Sequence, residues 1–67
     1  MRIVVNDEDR EVPTGCTVAE LLASLGYAET RGLAVAVNDA VHPRSGWAQQ
    51  RLAEADRVVL IRAAAGG

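Results

Sequence analysis

The chain has 67 residues, 49% of them apolar and 24% charged, and carries a net charge of −2 at pH 7. That composition describes a folded domain and excludes a disordered segment, but a domain of this size buries only about 60% of its unfolded surface and leaves no room for a deep catalytic cleft. Scattered Arg residues outnumbered by carboxylates, with Tyr27 and Trp47 as the aromatics, exclude a nucleic-acid surface, while one Cys and one His exclude an internal disulfide and a structural metal site.

No apolar run approaches the ~18 residues of a membrane span, and Met1-Arg2-Ile3-Val4-Val5-Asn6 turns polar too soon for a signal peptide. A reducing, cytoplasmic setting is therefore expected, with no membrane partner. Arg2 to Asn6 is rich in β-branched residues and reads as a strand, with Asp7-Glu8-Asp9 as the turn and Arg10-Glu11-Val12 as the returning strand, stopped by Pro13. Thr17 followed by Glu20 forms a capping box: the Thr17 hydroxyl accepts from the third helical N–H, and Glu20 reaches back to the Thr17 N–H. Val18, Leu21, Leu22 and Leu25 then share one stripe of a helix of about two and a half turns, ended by Gly26.

Leu33 to Asn38 alternates large and small apolar residues, which points Leu33, Val35 and Val37 inward and Ala34 and Ala36 outward. Asn38-Asp39-Ala40 offers a turn into a short Val41-His42 strand closed by Pro43. Ser45 is expected to cap a single helical turn carrying Trp47 and Ala48, with Trp47 as a cover at the edge of the core. A polar stretch follows through Asp56. Arg57 to Arg62 is the strongest strand signal, with Val58 and Leu60 inward and Val59 and Ile61 outward.

The order strand, strand, helix, strand, short strand, strand gives an α+β class in two layers, a mixed sheet of four to five strands packed on one main helix. This is the order of the β-grasp fold of ubiquitin, in which the first and last strands lie side by side at the centre. Residues 1–62 form that domain, and 63–67 follow it as a flexible C-terminal tail. Ala63, Ala64, Ala65, Gly66 and Gly67 have no large side chain to bury and end in an accessible carboxylate.

The residues resemble those of the bacterial sulfur carrier proteins of thiamine biosynthesis, the ThiS family. The similarity covers nearly the whole chain and is carried by Thr17-Val18-Ala19-Glu20-Leu21-Leu22, by Ala36-Val37-Asn38 through Val41-His42-Pro43-Arg44-Ser45-Gly46-Trp47-Ala48, and by Asp56-Arg57-Val58 with the terminal Gly66-Gly67. The helix motif is common; the Asn, Pro-Arg-Ser and Trp-Ala spacing with a terminal double glycine is specific. Two departures stand out. Ala55 occupies a place where the family often has Gly, which implies a strained turn into the last strand. Ala63, Ala64 and Ala65 are smaller than the side chains usual before the glycines.

A free carboxylate repels nucleophiles and must be activated before it can react. The resemblance implies that a ThiF-like adenylyltransferase of the ubiquitin-activating type uses ATP to join the Gly67 carboxylate to AMP. Sulfur from a persulfide donor, such as one charged by a cysteine desulfurase, displaces AMP and leaves a thiocarboxylate for thiazole synthase. The chain itself would bind no cofactor and act as a carrier, not an enzyme. Gly66 and Gly67 lack the Cβ atoms that would collide with a narrow channel, and five residues beyond Arg62 reach about 17 Å at roughly 3.3 Å each.

Partner binding falls to Val59, Ile61, Arg62, Ala63, Ala64 and Ala65, with Val4, Ala34 and Ala36 completing an apolar outward sheet face. Scattered surface apolars would read the same way, so both readings stand. Cys16 lies in a turn without a basic neighbour and reads as an inert thiol; His42 reads as structural, and Asp7, Glu8 and Asp9 as a solvated turn. Two alternatives remain open: a related carrier serving molybdopterin or another sulfur-containing product, and a β-grasp binding module with an inert tail.

Overall fold

The computed structural model describes residues 1–62; the expected tail, residues 63–67, lies outside the described residues. Five strands and one α-helix follow in the order β1 (Arg2–Val5), β2 (Glu8–Glu11), α1 (Val18–Ser24), β3 (Leu33–Val37), β4 (Ala40–His42) and β5 (Arg57–Arg62), with a 3-10 turn at Arg44–Gly46 between β4 and β5. They make one mixed sheet in the order β2-β1-β5-β3-β4. The first and last strands pair in parallel near the centre, as the apolar content of both leads one to expect.

The first hairpin turns one residue earlier than the acidic run suggests. Asn6 and Asp7 take φ of 49° and 67°, the left-handed pair of a two-residue turn whose twist matches that of the flanking strands. Glu8 and Asp9 are thus not turn residues but strand residues, opposite Val5 and Val4. All four β2 residues are exposed and charged, which discourages another chain from adding to this edge. The second hairpin repeats the device with Asn38 and Asp39 at φ of 50° and 71°, so Ala40 already belongs to β4.

Helix α1 is shorter than its stripe implies, because Leu25 serves as its C-cap. The capping box is present in both directions, Glu20 N–H to Thr17 Oγ1 at 3.1 Å and Thr17 N–H to Glu20 Oε1 at 2.9 Å. Two more N–H groups of the first turn donate to distant carbonyls, Val18 to Gln50 at 2.9 Å and Ala19 to Trp47 at 3.1 Å. At the other end Gly26, with φ of 85°, lets Tyr27 N–H donate to Leu22 and Gly26 N–H to Ala23, so the last carbonyls are satisfied as well.

Val18, Leu21 and Leu22 of α1 bury against Ile3, Val5, Val35, Val37 and Val58 of the sheet. Two core residues depart from expectation. Trp47 lies within the core at 5% exposure, not as a cover at its edge, and its Nε1 donates to the His42 carbonyl at 2.8 Å. Leu52 is buried too, because its N–H donates to the Cys16 carbonyl and draws the polar 48–56 stretch across the helix N-terminus. Ser45 does not cap the 3-10 turn; Pro43 occupies that position and no side chain caps it.

The turn into β5 is built on Asp56, whose carboxylate accepts from Ala53 N–H at 2.7 Å and from Asn38 Nδ2 at 2.9 Å. Ala55 within it takes φ of 69°, the conformation that the departure from Gly implies. A Cβ there costs about 1–2 kcal/mol, while glycine's extra freedom in the unfolded chain offsets about 0.4–1 kcal/mol. Ala55→Gly is therefore expected to stabilise the fold by about 0.5 kcal/mol and to raise Tm by roughly 2–4 °C in thermal circular dichroism; a lowered Tm would contradict the strain assigned here.

Candidate functional site

The chemistry read from the sequence rests on a terminus that β5 must present. β5 is held from both sides: five of its residues are in register with β3, from Leu33↔Arg62 to Val37↔Val58, and two with β1. Its four consecutive apolar pairs with β3 are Ala34↔Ile61, Val35↔Leu60, Ala36↔Val59 and Val37↔Val58. Arg62 ends the described chain, so Ala63, Ala64, Ala65, Gly66 and Gly67, on which the expected chemistry falls, lie outside the described residues.

Alternation sorts the strand into two faces. Val58 is fully buried under α1, so Leu60 and Arg62 share the helix side, whereas Arg57, Val59 and Ile61 face away from it. The structure therefore brings Val59 and Ile61 together and sets Arg62 on the opposite face. Around the pair lie Val4 on β1 and Ala34 and Ala36 on β3, as the pattern implies. Val41 was not legible as part of this surface: it sits opposite Ala36 on the sheet edge and is 74% exposed, more than Ile61 at 58%. Its signal was the two-residue turn at Asn38 and Asp39, which fixes the register of β4.

The result is an apolar row crossing three strands, Val41, Ala36 and Val59, with Ala34 and Ile61 beside it on the side nearer the C-terminus and Val4 of β1 beside Arg57 at the other end. Charged pairs border it. Arg2 meets Glu11 at 3.2 Å and Asp9 at 3.8 Å on one flank, and Arg57 meets Asp39 at 3.3 Å at the end distant from the tail. All five groups on the β1–β2 flank and at the far end are exposed, so these pairs add little stability and leave the rim polar.

The remaining chemical groups lie elsewhere. Cys16 is buried in the loop before α1, where its Sγ contacts the Thr17 carbonyl at 3.4 Å. Burial pushes its pKa up, and Glu20 adds to the shift, so the thiol stays protonated at neutral pH and is a poor nucleophile. His42 is half-buried on β4, and its backbone carbonyl, not its ring, makes the bond to Trp47. Among the described residues no three His, Cys, Asp or Glu side chains gather as metal ligands, and no helix is long and apolar enough to cross a membrane.

Comparison with known proteins agrees with this geometry. The ThiS family model matches residues 2–67. The chain is 37% identical over 67 residues to the sulfur carrier protein ThiS of Escherichia coli, covering both chains completely. It is also 33% identical over its full length to a stretch making up 20% of a thiazole synthase of Paramagnetospirillum magneticum. Among solved structures, the crystal structure of the thiamine biosynthesis protein ThiS from Geobacter metallireducens superposes with a TM-score of 0.86 at 26% identity over the whole of both chains. A solution structure of a thiamine biosynthesis protein from the same organism gives 0.79 at 26% identity, covering all of this chain and 88% of the other. Matched along its length by the family model and by a carrier of the same length, this β-grasp chain belongs to the ThiS family of sulfur carrier proteins of thiamine biosynthesis.

Proposed function

We propose that the Gly67 carboxylate is the group that carries sulfur. A ThiF-like adenylyltransferase of the ubiquitin-activating type joins it to AMP with release of pyrophosphate, which converts an oxide leaving group into a good one. The outer sulfur of a persulfide donor, charged by a cysteine desulfurase, attacks the acyl adenylate and expels AMP to form an acyl disulfide, which a thiol reductant cleaves to a thiocarboxylate on Gly67 and a disulfide on the donor. Thiazole synthase then takes the sulfur. ATP is consumed on the partner, this chain binds no cofactor of its own, and the setting is cytoplasmic.

The observation that carries this reading is that the family match and the identity to a carrier of the same length both run through residue 67, so the double glycine belongs to the matched region. The thiazole synthase that contains a stretch similar to this whole chain supports that enzyme class as the acceptor. The reading is tested by exchange of labelled pyrophosphate into ATP on such an adenylyltransferase. Exchange is expected to require this chain and to vanish when Gly67 is removed; equal exchange without the chain would contradict it.

Partners dock on the outward sheet face through Val59 and Ile61, while Ala63, Ala64 and Ala65 lead the glycines into the partner's site and Arg62 meets acids at its entrance from the helix side. Ile61 is exposed and contributes little to the core, so Ile61→Glu leaves the fold intact yet places a charge where an apolar contact forms. We expect its KM in pyrophosphate exchange to rise about ten-fold, equivalent to about 1.4 kcal/mol. An unchanged KM would remove this face from the interface.

A further inference from the structure

Where β5 lets go of the sheet decides how much chain stands between the fold and the reacting end, and a side chain 54 residues away acts at that point. β1 and β5 run parallel, and Asn6 N–H donates to the Val58 carbonyl at 2.9 Å. One more rung of this ladder would bring the Leu60 N–H to the backbone carbonyl of Asn6. That rung does not form, because Asn6, at φ of 49°, opens the tight turn and carries the backbone away toward β2. The Asn6 side chain supplies the missing acceptor: its Oδ1 accepts from Leu60 N–H at 2.9 Å.

Leu60 has no other means of attachment on that side. Asn38 N–H donates to the Arg57 carbonyl, and because antiparallel pairs alternate between bonded and non-bonded, Val59 and Ile61 point their backbone groups at β3 while Leu60 points its own at β1. Among the described residues the Asn6 amide is thus the last bond holding β5 from the β1 side, two residues before the strand ends at Arg62.

We propose that Asn6 is a positioning residue for the carrier's C-terminus: by pinning Leu60 it fixes the residue at which β5 releases the chain, and so sets the length and direction of the segment offered to the adenylating enzyme. The proposal rests on the reading of Gly67 as the reacting end. Without the pin the last residues of β5 are held from β3 alone, and the release point retreats toward Leu60. Binding suffers, whereas chemistry on the seated terminus does not.

Asn6→Gly isolates the effect, because glycine keeps the left-handed turn and removes only the side-chain acceptor. Asn6→Asp keeps an acceptor oxygen and also tolerates positive φ. Ile3→Val serves as a stability control, since it removes one buried methylene from the core, a loss similar to that of one hydrogen bond, and touches neither β5's end nor the outward face. In pyrophosphate exchange with the ThiF-like adenylyltransferase, Asn6→Gly is expected to raise KM about three- to ten-fold at unchanged kcat, and its Leu60 amide to exchange hydrogen at least about ten-fold faster. Asn6→Asp and Ile3→Val are expected to keep the wild-type KM. An unchanged KM in Asn6→Gly, an equal rise in Ile3→Val, or an Asn6→Asp chain as impaired as Asn6→Gly would each overturn the proposal. If the wild-type chain supports no exchange that depends on Gly67, the functional reading has failed instead, and Leu60 amide exchange then decides by itself whether Asn6 sets the release point.

Discussion

A chain that stops at Gly66 will not support growth without thiamine in a bacterial strain lacking its own carrier, even though it folds normally and still ends in a glycine carboxylate. The reason is distance. Removing one residue draws the carboxylate back by about 3.3 Å along an extended segment. A misplacement of about 1 Å at a reacting centre costs about 100-fold in rate, so a shift three times larger leaves no useful adenylation. Gly67→Ala tests the complementary requirement for space: it keeps the length but adds a Cβ at the narrowest point, and an intermediate growth rate is expected. Growth of the shortened chain at the wild-type rate would mean that the terminal carboxylate does not carry the sulfur.

The largest effect on stability is expected at Trp47. Its ring lies in the core beneath the segment that caps α1, its Nε1 donates to the His42 carbonyl, the Arg44 guanidinium stands 4.8 Å from the ring centre, and its own carbonyl accepts from Ala19 N–H. Trp47→Ala leaves a cavity that costs about 3–5 kcal/mol. At about 0.05–0.15 kcal/mol per residue, a domain of this length has only about 3–10 kcal/mol in total. The substitution therefore removes most of it, and the urea midpoint followed by circular dichroism falls toward zero. Trp47→Phe keeps an aromatic ring but loses the Nε1 donor, and a loss of about 1 kcal/mol is expected from the bond, with a further contribution from the smaller ring. A Trp47→Ala chain with the wild-type midpoint would show that the ring is not part of the core.

The parts of the fold that were legible in advance are those decided by near neighbours. Thr17, Glu20 and Gly26 mark the ends of α1 through bonds three to five residues apart, and the alternation of β3 and β5 names Val35, Val37 and Val58 as core without reference to anything else. The parts that were not legible depend on partners distant in the chain. The acidic run Asp7-Glu8-Asp9 carries turn chemistry at every position, and only pairing with Val4 and Val5 draws Glu8 and Asp9 into β2. Leu52 sits among polar residues and is buried because the 48–56 stretch bonds back to Cys16 and Val18.

The candidate site divides the same way. A terminal double glycine means little by itself and points to chemistry only together with the Asn, Pro-Arg-Ser and Trp-Ala spacing that precedes it. The outward sheet face is readable in part: alternation names Val59 and Ile61 with Val4, Ala34 and Ala36, but the rest of its membership depends on register. Strand alternation assigns Val59 and Ile61 to one face and Arg62 to the other, and Val41 joins the apolar row only through its position opposite Ala36. Asn6 was missed for a further reason: as a residue of a turn its amide has an obvious local role, and nothing in the sequence shows that it bonds to Leu60.

The central claim is that sulfur is carried on the C-terminal carboxylate, and intact-mass measurement after incubation with a ThiF-like adenylyltransferase, ATP, a persulfide donor and a thiol reductant tests it most directly. The predicted result is a gain equal to the exchange of one oxygen for one sulfur, located in the fragment that ends in Gly66-Gly67 and unchanged in Cys16→Ser. A gain that persists after removal of Gly66 and Gly67 but disappears in Cys16→Ser would contradict it.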